Sequence, residues 1–223
     1  MSGIRLWPDG QPMMVDVLTD GHEAGGLFVK HRVFDELDDL QARMTALSGR
    51  GRRGVDTVGD LHAQVWDATG MFGGTLWMSD TANERCDHQG ALDAATGHVL
   101  VGGLGLGLFA LAAMVKQGVD HVTVVEINPN VIELVEGPIR AAASMMVKSP
   151  ATLTVINDNI KTWTPKRGVK FDTVWIDIWP TLCTDDLEEH KALKRKFSRR
   201  KSAGAFFGCW GNSFLRRMRR MGY

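Results

Sequence analysis

Residues 98–107 read His-Val-Leu-Val-Gly-Gly-Leu-Gly-Leu-Gly, and nineteen residues past the last glycine the run Val122-Thr-Val-Val-Glu126 closes on an acid. Val99–Val101 suit a strand buried on both faces, and Gly103, Gly105 and Gly107 form a turn without side chains, whose N–H groups can approach a ligand closely. Leu108, Leu111, Ala112 and Val115 then repeat at helical spacing, with Gly118 as the expected stop. The next strand ends at Glu126, which places a carboxylate beside the glycine turn at the carboxyl edge of a sheet, where it can accept hydrogen bonds from ribose hydroxyls. The glycines alone do not choose a ligand, because Gly105-Leu-Gly-Leu-Phe-Ala110 also fits the dinucleotide pattern G-x-G-x-x-A.

Two further apolar runs stop at polar residues. Leu153-Thr-Val-Ile-Asn ends at Asp158 and Asn159, and Phe171-Asp-Thr-Val-Trp-Ile ends at Asp177, followed by Ile178, Trp179 and Pro180. In an open α/β sheet such strand ends gather around one crevice, so four segments are expected to converge on the same ligand.

In this order and spacing the chain resembles the class I S-adenosylmethionine-dependent methyltransferases over roughly residues 77–210, with a secondary likeness to the spermidine synthase branch. The resemblance implies a Rossmann-like, mostly parallel open sheet with helices on both faces, and S-adenosyl-L-methionine as cofactor. It implies that Gly103, Gly105 and Gly107 wrap the methionine part, that Glu126 holds the ribose and that Ile127 packs on the adenine. Asp158, with Asn159 beside it, matches the position that binds the adenine amine, and Asp177 and Trp179 lie next to the transferred group. Asp177 is the candidate base or orienter, and Trp179 offers a flat face to an acceptor unless it packs as core.

Two departures from the family pattern carry information. Many members have an acid where this chain has Val101, so Asp177, Asp80 or a carbonyl near Gly103 must receive the methionine ammonium instead. Leu104 and Leu106 occupy a loop in which spermidine synthases carry an acid, which puts aminopropyl transfer behind methyl transfer. The same glycines and acids would also serve a dinucleotide-dependent enzyme, or a protein that binds or cleaves S-adenosylmethionine without transferring the methyl group.

Ahead of this region, residues 1–76 read as a small α+β extension to the domain at 77–223. Strands are expected at Met13–Leu18, Gly26–Phe34 and Leu61–Trp66, a helix at Asp35–Leu47, and a basic connecting loop at Gly49–Gly54. Thr75–Asp80 reads as a strand leading into the capping box Thr81-Ala-Asn-Glu84. Asp80 is a further catalytic candidate, with Trp77 and Met78 as acceptor-pocket candidates and core packing expected for Trp77.

A chain of 223 residues that is 44% hydrophobic can bury a substantial core. It has no apolar run of membrane-spanning length and no secretory apolar core near its first residue, so a cytoplasmic protein is expected. Cys86, Cys183 and Cys209 lack paired spacing and read as free thiols, with no metal site expected. The formal net charge is zero but unevenly placed: residues 1–90 carry 14 acids and 8 bases, whereas residues 181–223 carry 4 acids and 11 bases. A small-molecule acceptor is the first expectation, and the basic segment 191–220 leaves nucleic acid open as a partner. Thr184 and Asp185–Glu189 open a helix, Ala203–Cys209 is a fifth strand, and a basic helix follows. The usual last two strands of the class are absent, so the exposed sheet edge calls for cover from the N-terminal strands or a second copy in a homodimer.

Overall fold

The computed structural model describes residues 3–38, 56–69, 74–179, 181 and 183–222. Its centre is a five-stranded sheet of β5 (Gly97–Gly102), β6 (Val119–Glu126), β7 (Thr152–Asn157), β8 (Phe171–Ile176) and β9 (Lys201–Cys209), in the order β7-β6-β5-β8-β9. Every pairing in it is parallel. The order reverses between β6 and β8 on either side of β5, which makes the end of β5 the switch point where such sheets open a crevice. This is the Rossmann-like α/β arrangement expected from the sequence.

Helices α1 (Ala82–Ala94), α2 (Leu108–Val115), α3 (Pro129–Met146), α4 (Asp186–Phe197) and α5 (Asn212–Arg220) connect and flank these strands. The central strands are buried on both faces. Val99, Val101, Val122 and Val124 belong to one apolar cluster with α2 and α3, while Leu100, Val125, Val174 and Ile176 belong to a second with Phe197 of α4. An uninterrupted run of β-branched and other apolar residues satisfies both layers, which is why these strands show no polar alternation.

A second sheet, antiparallel and in sequential order, contains β1 (Glu23–Ala24), β2 (Leu27–Val33), β3 (Leu61–Asp67) and β4 (Thr75–Ser79). It shares the first apolar cluster through Leu27, Val29, Ala63 and Val65, which are buried together with Leu104 and Leu106 of the glycine turn. The sheet meets the start of α3, where Asn130 Nδ2 donates to the Gly25 carbonyl at 3.3 Å.

Several expectations change. Met13–Leu18 is not a strand: Met14–Asp16 is a 3₁₀ turn, with Val17 N and Leu18 N both donating to the Met14 carbonyl. Its apolar residues face the core as a compact turn, a case that alternation cannot distinguish from a strand. The helix expected at 35–47 is described only in its first residues, and the basic loop at 49–54 and Pro180 lie outside the described residues. The antiparallel sheet packs on α3 and the glycine turn, and among the described residues β9 pairs with β8 alone, so the N-terminal strands do not cover that edge. No described helix is long and apolar enough to cross a membrane.

Candidate active site

The turn after β5 assigns its three glycines different tasks. Gly103 has φ +90°, and a Cβ there would overlap the Asp177 carbonyl of the neighbouring strand end. Gly107 has φ +79° and precedes α2, where a Cβ would stand 2.6 Å from Val135 and 2.7 Å from Ile139 of α3. Gly105, at φ +54°, would meet only Met78 Sδ at 3.5 Å. Gly103 and Gly107 therefore exist for backbone and helix packing, and Gly105 is where the chain leaves room. Leu104 and Leu106 are both buried in the core, so the leucines of the turn point inward.

Glu126 ends β6 directly beside this turn. Its Oε2 accepts from Leu104 N at 2.7 Å and its Oε1 from Asn128 N at 2.8 Å, with 7% of the residue exposed. Each carboxylate oxygen keeps a second lone pair, so two acceptor directions remain for a ligand hydroxyl. Ile127, next in the chain, is 65% exposed. The end of β6 is fastened by Asn157, whose Nδ2 donates to the Glu126 and Ile127 carbonyls at 3.0 Å each. Sequence reading passed over Asn157 in favour of its neighbours. Asp158 is exposed at the end of β7, whereas the Asn159 side chain accepts from Lys161 N at 2.9 Å and shapes the following turn.

On the other side of β5, Asp177 N donates to the Gly102 carbonyl at 2.8 Å, fixing the end of β8 to the glycine turn. The Asp177 Oδ2 lies 3.2 Å from His88 Nε2, and its side chain stays 30% exposed. His88 stands edge-on to Phe109 and Trp175, which hold its ring. Glu84, one helical turn earlier on α1, accepts from Ser79 Oγ at 2.7 Å. Burial first, then the charges of Asp177 and Asp80, push the Glu84 carboxyl up to about 8, against the opposing Ser79 hydrogen bond. At neutral pH Glu84 is thus a largely neutral acid near an ionisable Asp177. Neither Glu84 nor His88 was assigned to the site from sequence, although their i, i+4 spacing puts both on one face of α1.

Two sequence candidates are used elsewhere. Asp80 is completely buried: its carboxylate accepts from Ala63 N at 3.0 Å and Met14 N at 3.2 Å and lies 3.1 Å from His62 Nδ1. A side chain so engaged ties β3 to the Met14–Asp16 turn and is not free for an acceptor. Trp179 packs on α4, with its ring 4.2 Å from that of His190 and its Nε1 donating to Glu189 at 2.7 Å. Its face is covered, so it cannot serve as an open platform. Trp77 departs the other way, being 44% exposed where core packing was expected, while Met78 approaches Gly105. The basic segment is partly neutralised within the chain: Lys191 and Arg219 both reach Glu188, and Lys196 donates to the Ile160 and Lys161 carbonyls.

No family model matches the chain, and no curated protein matches it. Solved structures do resemble it. The CcbJ methyltransferase from Streptomyces caelestis is 17% identical over 55% of this chain and 47% of its own, with a TM-score of 0.42. An S-adenosylmethionine-dependent methyltransferase from Clostridium acetobutylicum is 17% identical over 56% of this chain and 46% of its own, with a TM-score of 0.36. TrmN from Thermus thermophilus is 15% identical over 60% and 39%, with a TM-score of 0.43. The chain spans less than half the length of each. The Rossmann-like fold rests on the strand order and register themselves.

Proposed function

We propose that this chain binds S-adenosyl-L-methionine at the carboxyl ends of β5, β6, β7 and β8 and transfers its methyl group to an acceptor. The observation that carries the reading is the Glu126 carboxylate seated against the glycine turn, with Gly105 open beside it. In this reading Glu126 holds ribose hydroxyls, exposed Ile127 packs on the adenine and Asp158 takes the adenine amine. With Asp80 committed to the core, Asp177 is the acid that meets the methionine ammonium in place of the one missing at Val101. His88 positions Asp177 through the 3.2 Å contact. The cofactor, when bound, supplies a methyl group on a sulfonium that needs only an aligned nucleophile. The chain's contribution is then positioning, together with a proton acceptor where the acceptor atom carries a proton.

The test is calorimetry on the full chain with S-adenosylmethionine and S-adenosylhomocysteine, with NAD as the competing ligand. Saturable binding of both S-adenosyl compounds, weakened in Asp177→Asn, is the expected result. Absence of binding to either compound overturns the reading. A screen of candidate acceptors for S-adenosylhomocysteine release then tests transfer itself.

A further inference from the structure

The start of β3 and the start of α1 enclose a second group of chemically capable side chains. Asp56, Asp60 and His62 each offer a ligand atom, and these atoms all lie within 4.8 Å of one another. Carboxylates near one another do not by themselves make a site. The deciding feature is His62, which is 2% exposed and whose Nε2 is buried without a hydrogen-bond partner.

The ring is held in a way that leaves this nitrogen aimed at the carboxylates. Its plane stacks on Trp7 at 5.2 Å and 15°, and Phe34 meets its edge. Nδ1 lies 3.1 Å from Asp80 Oδ1, and an ionised carboxylate can only accept, so Nδ1 carries the proton. In the neutral ring Nε2 then presents a bare lone pair, 3.4 Å from Asp56 Oδ1. A carboxylate behind one imidazole nitrogen, fixing the tautomer so that the other can bind a cation, is the usual outer support of a metal-ligating histidine.

Distance and charge point to the same kind of ion. Two ligands each about 2.1 Å from a tetrahedral centre stand about 3.4 Å apart. That matches the separation of His62 Nε2 from Asp56 Oδ1. Asp56, Asp60 and Asp80 bring three carboxylates, while Arg85, 3.7 Å from Asp56 and 2.8 Å from Asp9, is shared with a fourth. Asp56 also accepts Ala82 N through both oxygens, at 2.9 and 3.0 Å, so an ion here would sit at the start of α1.

We propose that His62 Nε2, Asp56 and Asp60 bind one divalent zinc ion, with Asp80 orienting the imidazole. The site joins the segment before β3 to the first turn of α1 and uses none of the residues assigned to the proposed methyl transfer. Cysteine spacing could not reveal it, because its ligands are oxygen and imidazole.

The full chain is stripped with a chelator, exposed to zinc, passed through gel filtration and analysed for metal content, with thermal unfolding followed in parallel. One zinc per chain and a raised unfolding temperature are expected, with at least tenfold weaker binding in Asp60→Asn and His62→Gln. Asp60 is only half-buried, and its asparagine keeps an acceptor for Thr57 N, so that variant retains the fold if circular dichroism is unchanged. No retained zinc overturns the proposal and leaves His62 as a ring held between Asp56 and Asp80. Equal zinc retention by both variants also overturns it, because the metal would then bind elsewhere. Preference for magnesium or manganese over zinc overturns the choice of ion.

Discussion

At the scale of single residues, the three glycines make a sharp distinction that their spacing conceals. All have positive φ, yet a Cβ at Gly103 collides with backbone, one at Gly107 with α3, and one at Gly105 with nothing nearer than a methionine sulfur. Gly105→Ala should therefore cost about 1–2 kcal/mol, the strain of a left-handed alanine, while leaving the fold intact. It should also remove most S-adenosylhomocysteine binding, because the added methyl occupies the space a ligand would use. Gly103→Ala should unfold the domain. Chemical denaturation alongside calorimetry distinguishes them, and tight binding by Gly105→Ala would contradict the placement of the ligand. Glu126 has a double role of the same kind. Glu126→Ala should weaken cofactor affinity by about 1–3 kcal/mol and also lower stability, since buried Leu104 N loses its acceptor. Glu126→Gln keeps one acceptor oxygen, so unequal effects of the two variants on stability and affinity would separate these contributions.

At the scale of elements, the strands of the parallel sheet could be read because burial on both faces demands continuous apolar runs, and their ends were marked by glycine or acid. The helix α1 shows where that reading stops. The capping box was visible, but Thr81 makes no side-chain cap, and the cap on Ala82 N comes from Asp56, twenty-six residues away. What α1 brings to the site, Glu84 and His88, became apparent only once the helix was docked beside Asp177. Its placement has a measurable consequence. The carboxyl of Glu84 rises from an ordinary 4.5 to about 8, so between these values the folded chain holds a proton that the unfolded chain has released. That contribution to stability is present in full below about pH 4.5 and is lost as pH rises toward 8. Urea midpoints measured across this window should fall more steeply for the native chain than for Glu84→Gln. Parallel slopes would show that Glu84 ionises normally.

At the scale of the whole molecule, two sheets of different kinds share one core, and polar groups far apart in sequence tie the N-terminal segment to β3 and to α1. Asp80 accepts from Met14 and Ala63, Gln11 Nε2 donates to the Arg85 carbonyl at 2.9 Å, and Arg85 pairs with Asp9 while lying over the Trp7 ring. None of these pairings has a local signal, which explains why Asp80 read as a crevice acid and Met13–Leu18 as a strand. The sequence pattern records which face of an element is apolar, but not which distant backbone amide a buried carboxylate will meet. Asp80 ties the Met14–Asp16 turn to β3, and its loss tests whether the antiparallel sheet unfolds together with the parallel sheet whose core it shares. Asp80→Ala leaves two backbone N–H groups and the His62 ring without their acceptor, a cost of about 3 kcal/mol or more. If the two sheets form one cooperative unit, urea unfolding followed by tryptophan fluorescence and by far-ultraviolet circular dichroism should move together to lower denaturant. Two separated transitions would mean that the parallel sheet stands without the antiparallel one, and a loss below about 1 kcal/mol would show that the Asp80 hydrogen bonds are not what holds the N-terminal turn to β3.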